Sequence, residues 1–231
     1  MEHVSSPAPP ERSAVTSGSI ELDRGTMPYV VKGPVSAPWA LILPGAFTAP
    51  WLYESARDHL ARTFRVITLE YRGVAGSRND LRHITPELLA RDTLDLLDQL
   101  AVTEVNVACI SLGTFVLAEL LHLGPRRIAK CAIGGMPALR RRAQVLVDLG
   151  ESDFTRTQES PHQIGVQSIM SRLWSDTFRK DQAGLYREVM TRVSELTARD
   201  VWAGAQRWQG VFAADWTRRF VAARAVGVPH R

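Results

Sequence analysis

The stretch from residue 105 to residue 120 constrains the fold of this chain more than any other. It begins with the alternating apolar residues of a strand and ends with the apolar residues of a helix, and Ser111 stands where the two patterns meet. Small residues at Cys109 and Gly113 flank this serine and allow a tight turn to close. The pattern therefore predicts a strand, a sharp turn at Ser111 and a helix.

Two interpretations of Ser111 fit this pattern. On a sharp strand-to-helix turn, the backbone holds a serine hydroxyl clear of the sheet, where it can act as a nucleophile. In an ordinary turn, the same hydroxyl would accept hydrogen bonds from the first backbone N–H groups of the helix. A glycine commonly stands two residues before such a nucleophile, and Cys109 replaces it here. The local pattern leaves both interpretations open.

Strand and helix patterns alternate on both sides of this turn. Apolar runs at 39–43, 64–71 and 128–133 predict strands, and a long helix opened by Pro86 follows the second of them. Strands that alternate with helices in this way predict a mostly parallel sheet with right-handed crossovers. The first of these runs is not followed by the Gly-x-Gly-x-x-Gly segment of a dinucleotide-binding fold. Ligands of such sheets bind at the carboxyl ends of the strands.

Composition and periodicity divide the chain into four segments. The first is rich in Ser, Pro and Ala, the second begins with a hairpin at 19–24 and 27–32, and the third contains helical patterns without strands. The last looks like the lead-in to a strand that does not follow, so we expect a C-terminally incomplete sheet. The expected segments are a disordered leader at 1–18, a core at 19–137, a helical cap at 138–219 and a tail at 220–231.

Aromatic residues recur at helical spacing through the predicted cap. At this spacing they fit the core of a helical layer, and they also fit the lining of an acyl-binding pocket beneath it. The sequence leaves both roles open. The residues are Trp174, Trp202, Trp208, Phe212 and Trp216.

Composition excludes several classes of protein. The 231 residues are 45% apolar and 23% charged, which are globular values. No apolar run approaches the ~18 residues of a membrane-spanning helix, and no zinc, helix-turn-helix or RNP pattern indicates nucleic-acid binding. We therefore expect no membrane span, nucleic acid, metal or cofactor. Cys109 and Cys131 fall in predicted buried strands and indicate a reduced, cytoplasmic protein.

The densest basic cluster consists of three consecutive arginines, Arg140, Arg141 and Arg142. A solvated helix face explains such a cluster. A binding site for a phosphate or an acidic partner explains it as well. The net charge of +4 is too small to favour either explanation.

A serine hydroxyl needs a base to remove its proton, and an oriented histidine is the usual one. The developing oxyanion needs two N–H groups, for which we expect Leu112, directly after the serine, and Ala46, in the turn after the first parallel strand. The histidines and acids that follow Ser111 do not stand at predicted strand ends, and no triad can be assembled from them. They are His122, His162, His230, Asp148, Asp153, Asp200 and Asp215.

Residues 39 to about 219 resemble the α/β-hydrolase superfamily. More narrowly, they resemble its branch of rhamnolipid-precursor 3-hydroxyacyl acyltransferases and 3-hydroxyacyl-ACP:CoA transacylases. Four segments carry the resemblance: Leu43-Pro-Gly-Ala46 with Thr48-Ala, Gly76-Ser-Arg78, the turn at Ser111, and Arg142-Ala-Gln-Val-Leu-Val-Asp-Leu149.

The resemblance implies an α/β fold with an α/β-hydrolase-like, mostly parallel sheet and a helical cap. It carries Ser111 over as the nucleophile and Ala46 and Leu112 as oxyanion donors, while the acid and the histidine of the family would lie beyond residue 231. It also implies acyl transfer or hydrolysis on a small acyl ester or hydroxyacyl thioester, with an acyl carrier protein meeting Arg140 to Arg142. A truncated or non-catalytic acyl-binding homologue and a generic esterase or lactonase are the alternatives.

Overall fold

One six-stranded sheet organises the chain in the computed structural model. The strands lie in the order β1-β2-β4-β3-β5-β6. β1 and β2 are antiparallel to their neighbours, whereas β4, β3, β5 and β6 run parallel to one another. The strands are β1 (Ala14–Leu22), β2 (Gly25–Gly33), β3 (Trp39–Leu43), β4 (Arg65–Leu69), β5 (Val105–Ile110) and β6 (Ile128–Gly134).

The structure describes five continuous ranges and several single residues near the C-terminus. The ranges are 14–23, 25–46, 50–73, 84–135 and 174–195, and the single residues are 200, 203, 204, 206, 207, 210, 211 and 216. The single residues are helical. All structural statements below concern these residues.

Helices with defined ends cover the sheet within these ranges. A 3₁₀ turn (Pro50–Tyr53) leads into the first, and Pro86 opens the second, in which the Thr85 hydroxyl accepts a hydrogen bond from the Leu88 N–H at 3.1 Å. None of the described helices is long and apolar enough to cross a membrane. The helices are α1 (Glu54–Leu60), α2 (Pro86–Gln99), α3 (Leu112–Leu123), α4 (Asp176–Asp181) and α5 (Ala183–Ser194).

The core of the domain lies between the sheet, α2 and α3. α3 is buried from its first residue through Leu120, because the sheet and α2 cover it on different sides. The side chain of Phe115 in α3 meets the ring of Trp216, with 4.7 Å between the ring centroids. Trp216 is itself buried in this core. Of the other predicted cap aromatics, Trp174 is described, and its ring stacks on that of Phe178 with 4.7 Å between the ring centroids.

The predicted α/β fold with a mostly parallel sheet is confirmed, and β3 has the predicted bounds. Two local predictions differ from the structure. β1 starts at Ala14, inside the predicted leader. Cys131 is exposed, not buried, because β6 is the last described strand of the sheet. The predicted cap helices before residue 174 and the tail lie outside the described residues.

A buried ion pair joins the end of β4 to α2. The Arg72 guanidinium donates to both carboxylate oxygens of Asp92, at 2.5 and 2.8 Å, and to the Asp23 carbonyl at 2.7 Å. Both side chains are about as buried as core residues, at 5% and 3% exposure. The bidentate ion pair compensates both buried charges. Together with the hydrogen bond to Asp23, it links the turn after β1, the end of β4 and α2.

Asp92→Asn is expected to lower the free energy of unfolding by about 3 kcal/mol, because it leaves the Arg72 guanidinium buried without its counter-charge. Asp98→Asn is the matched control. Asp98 also contacts an arginine, Arg127, at 2.6 Å, but its side chain is 66% exposed, and such pairs contribute about 0–1 kcal/mol. Urea unfolding followed by circular dichroism measures both losses. Equal losses in the two variants would contradict the assignment.

Candidate active site

Ser111 occupies a strained backbone position between β5 and α3. Its φ is 54° and its ψ is −118°, and among the described residues only Ala101 is another non-glycine with positive φ. Residues other than glycine rarely adopt this conformation unless the surrounding structure imposes it. The Ser111 side chain makes no capping hydrogen bond to α3. Ser111 thus stands at the N-cap position of α3, but its hydroxyl does not accept the hydrogen bonds that an ordinary helix cap would supply.

A close contact between α3 and β3 imposes this turn. A Cβ atom on Gly113 would lie 2.4 Å from the Leu43 carbonyl oxygen, a distance that no side chain tolerates. Glycine at this position lets the first turn of α3 approach the end of β3. Cys109 stands on the other side of the serine and is buried in the core. Burial raises the pKa of its thiol to about 11, so the group is protonated and unreactive at neutral pH.

The end of β3 brings Ala46 to the same edge of the sheet. Leu43 of β3 is paired with Cys109 of β5, so the turns that follow these parallel strands are neighbours. Ala46 is buried in its turn, and the Gly45 N–H donates to the Tyr53 hydroxyl at 2.8 Å. Leu112 is the first residue of α3, where backbone N–H groups have no acceptor within the helix. Such an N–H group is available to an anion, and the helix dipole favours negative charge there.

A buried arginine that sequence reasoning missed holds this turn. The Arg207 guanidinium donates to the carbonyl of Ala46 at 2.5 Å and to the carbonyl of Arg72 at 2.7 Å. The residue is 1% exposed. Arg207 lies in a helical pattern with other arginines nearby, and no local signal distinguishes it from a surface residue.

Two ionisable groups stand directly after β4: Glu70, which is half-buried, and Tyr71, which is buried. Burial, and secondarily the charge of Asp200, raises the pKa of the Glu70 carboxyl to about 7. One oxygen of this carboxyl is buried without a hydrogen-bond partner. Burial also raises the pKa of Tyr71 well above its usual range. Protonation of Glu70 therefore stabilises the fold, since it removes an unsatisfied buried charge.

The structure does not bring a catalytic histidine to Ser111 within the described residues. His122 is exposed near the C-terminal end of α3, roughly 15 Å along the helix from the serine. His59 is exposed on α1. Neither histidine makes a hydrogen bond to Ser111. The charge of the described acid Asp200 contributes to the raised pKa of Glu70. The other candidates lie outside the described residues: Arg140, Arg141, Arg142, His162, His230, Asp148, Asp153 and Asp215.

Comparison with known proteins identifies the fold of this chain. Residues 38–221 match the family described as the alpha/beta hydrolase fold. A hydrolase from Pseudomonas aeruginosa PA01 superposes with a TM-score of 0.75 at 20% identity, over 89% of this chain and 76% of that one. The enol-lactonase from Burkholderia xenovorans LB400 superposes with a TM-score of 0.69 at 18% identity, over 87% of this chain and 76% of that one. Est816, an N-acyl homoserine lactone degrading enzyme, superposes with a TM-score of 0.67 at 15% identity, over 84% of this chain and 74% of that one. At these identities the likeness establishes the fold.

Gly113→Ala is expected to destabilise the protein by about 1–3 kcal/mol, because the added methyl group forces α3 away from the end of β3. Gly184→Ala in α5 is the matched control. A Cβ atom there meets nothing within 4 Å, and replacing a helical glycine stabilises by up to about 1 kcal/mol. Thermal and urea unfolding compare the two. If Gly113→Ala is as stable as the wild type, the close approach at Leu43 is not required.

Glu70→Gln is expected to reduce the loss of stability at rising pH. The folded protein raises the pKa of Glu70 from 4.5 to about 7, so it binds this proton more tightly than the unfolded chain does. The stabilisation is complete below pH 4.5 and is lost up to about pH 7. Because the side chain is only half-buried and solvent screens its charge, we expect a change of about 1–2 kcal/mol. Urea unfolding at pH 5 and pH 8 measures it. An exposed acid, Glu104, provides the control variant Glu104→Gln, and an equal pH dependence in both variants would refute the assignment.

Proposed function

The chain belongs to the alpha/beta hydrolase fold family, and on this premise we propose that it cleaves or transfers the acyl group of a small ester or thioester with Ser111 as the nucleophile. The strained backbone at Ser111 carries this proposal. It places a hydroxyl without a helix-capping role at the carboxyl end of β5. The turn of Ala46 and the first N–H of α3 adjoin it.

The proposed chemistry begins with attack by the Ser111 hydroxyl oxygen on the acyl carbonyl carbon. The carbonyl oxygen becomes an oxyanion and accepts hydrogen bonds from the N–H groups of Leu112 and Ala46. Collapse of the tetrahedral intermediate expels the alcohol or thiol and leaves an acyl group on the serine. A base must take the serine proton and return it to the departing alcohol or thiol, and in most serine hydrolases this base is an imidazole. The two described histidines do not occupy that position.

Water or a second thiol can then accept the acyl group. The enol-lactonase and the lactone-degrading Est816, both similar in fold, support water and therefore hydrolysis of an ester or lactone. The resemblance of Leu43 to Ala46 to the 3-hydroxyacyl transferase branch supports transfer from a thioester. In that case Arg140 to Arg142 would bind an acidic acyl carrier protein in the cytoplasm. A free acid as the product identifies hydrolysis, and thioester exchange identifies transfer.

An active-site-directed fluorophosphonate is expected to label the wild-type protein at Ser111, and Ser111→Ala is expected to abolish labelling. Intact-protein and peptide mass spectrometry locate the adduct. Ser194→Ala is the control, because its hydroxyl already donates to the Thr191 carbonyl, at 2.5 Å, on α5. A folded wild-type protein that remains unlabelled refutes the proposal and favours a non-catalytic acyl-binding protein.

A further inference from the structure

Arg207 is a buried cation that forms no ion pair with the described residues, although the charge of Asp200 favours its charged form. Among the described residues it makes no salt bridge, and its two terminal nitrogens donate to backbone carbonyls. Burial lowers the pKa of its guanidinium to about 10, which still leaves the group charged at neutral pH. Burying an unpaired charge carries a large desolvation cost. A charged side chain at this position therefore calls for an explanation, and its two hydrogen bonds to backbone carbonyls supply one.

The first contact restrains Ala46 through its carbonyl, which lies in the peptide group after the one that contains its N–H. In the peptide group before that N–H, the Gly45 N–H donates to the Tyr53 hydroxyl at 2.8 Å. In the peptide group after it, the Ala46 carbonyl accepts from Arg207 at 2.5 Å. The peptide group with the Ala46 N–H thus lies between two peptide groups that are held by hydrogen bonds. A charged donor makes the second of these hydrogen bonds the stronger one.

The second contact connects Arg207 to a rigid part of the fold. The Arg72 carbonyl, which accepts from Arg207 at 2.7 Å, belongs to a residue whose side chain forms the buried ion pair with Asp92. β4 and β3 are adjacent parallel strands, so the two carbonyls stand at the same edge of the sheet. The planar guanidinium can span them because its donors diverge at fixed angles.

We infer that Arg207 is a positioning residue for the oxyanion-binding site: it holds the Ala46 N–H in the orientation that stabilises the oxyanion. The inference rests on the proposed function of Ser111. Arg207 itself does not touch the reacting atoms. It acts through the backbone, as a clamp between the turn after β3 and the turn after β4.

The test compares the rate of fluorophosphonate labelling of Ser111 in three folded variants. Arg207→Met removes the charge and both donors, and we expect labelling to slow roughly 100-fold, the usual effect of losing one oxyanion donor. Arg207→Lys keeps the charge but loses the planar fork, and we expect an intermediate rate. Arg127→Met is the control, because Arg127 also donates to a backbone carbonyl, that of Val102 at 2.6 Å, but on another part of the fold. It should label at the wild-type rate.

Chemical rescue separates positioning from a general effect on stability. In Arg207→Ala, guanidinium at millimolar concentration is expected to restore part of the labelling rate, and the same concentration of sodium chloride is not. Unfolding free energies identify any variant that is not folded, and Arg207→Lys then replaces Arg207→Met in the comparison. Wild-type labelling with an unchanged rate in folded Arg207 variants overturns the inference alone. A wild-type protein that is not labelled overturns the proposed function and the inference together.

Discussion

The approach of α3 to the end of β3 is the contact on which the rest of the site depends. Gly113 lies so close to the Leu43 carbonyl that only a residue without a side chain fits. This contact forces the chain to reverse sharply at Ser111, and the positive φ of the serine is the consequence. The same contact places the start of α3 beside the turn that contains Ala46. A steric limit at one glycine thus brings the turn at Ser111 next to the turn that contains Ala46.

A buried polar network holds the turn that contains Ala46. Asp92 holds Arg72, and the carbonyls of Arg72 and Ala46 are joined by Arg207. Charged groups in a core are costly unless they are satisfied, and here a carboxylate and three carbonyls accept hydrogen bonds from two guanidinium groups. Glu70, at the same edge, is less well satisfied, and its raised pKa reflects this. Polar contacts at this edge of the sheet therefore specify geometry at the expense of stability.

Local patterns predicted the parts of the structure that local forces determine. The apolar run of β3, the proline that opens α2 and the small residues around Ser111 each act within a few residues, and the structure has the elements they predict. The predicted hairpin contains only the second half of β1. Residues 14–18 were missed because they are mostly exposed and become part of the strand only by pairing with β2. The exposure of Cys131 depends on the order of strands in the sheet, which periodicity does not contain. Arg207 lies 161 residues from its partner Ala46, and nothing in its neighbourhood marks it.

This separation also sets the order in which the site can form during folding. The strand, turn and helix around Ser111 are contiguous, and their contacts close small loops that form quickly. Arg207 reaches the Ala46 carbonyl only after a loop of 161 residues has closed, which carries a larger entropic cost. Ser111 therefore reaches its place before Arg207 binds the Ala46 carbonyl. A nascent chain synthesised only as far as the sheet would carry the serine without this contact, so the helical region that contains Arg207 controls when the proposed site becomes complete.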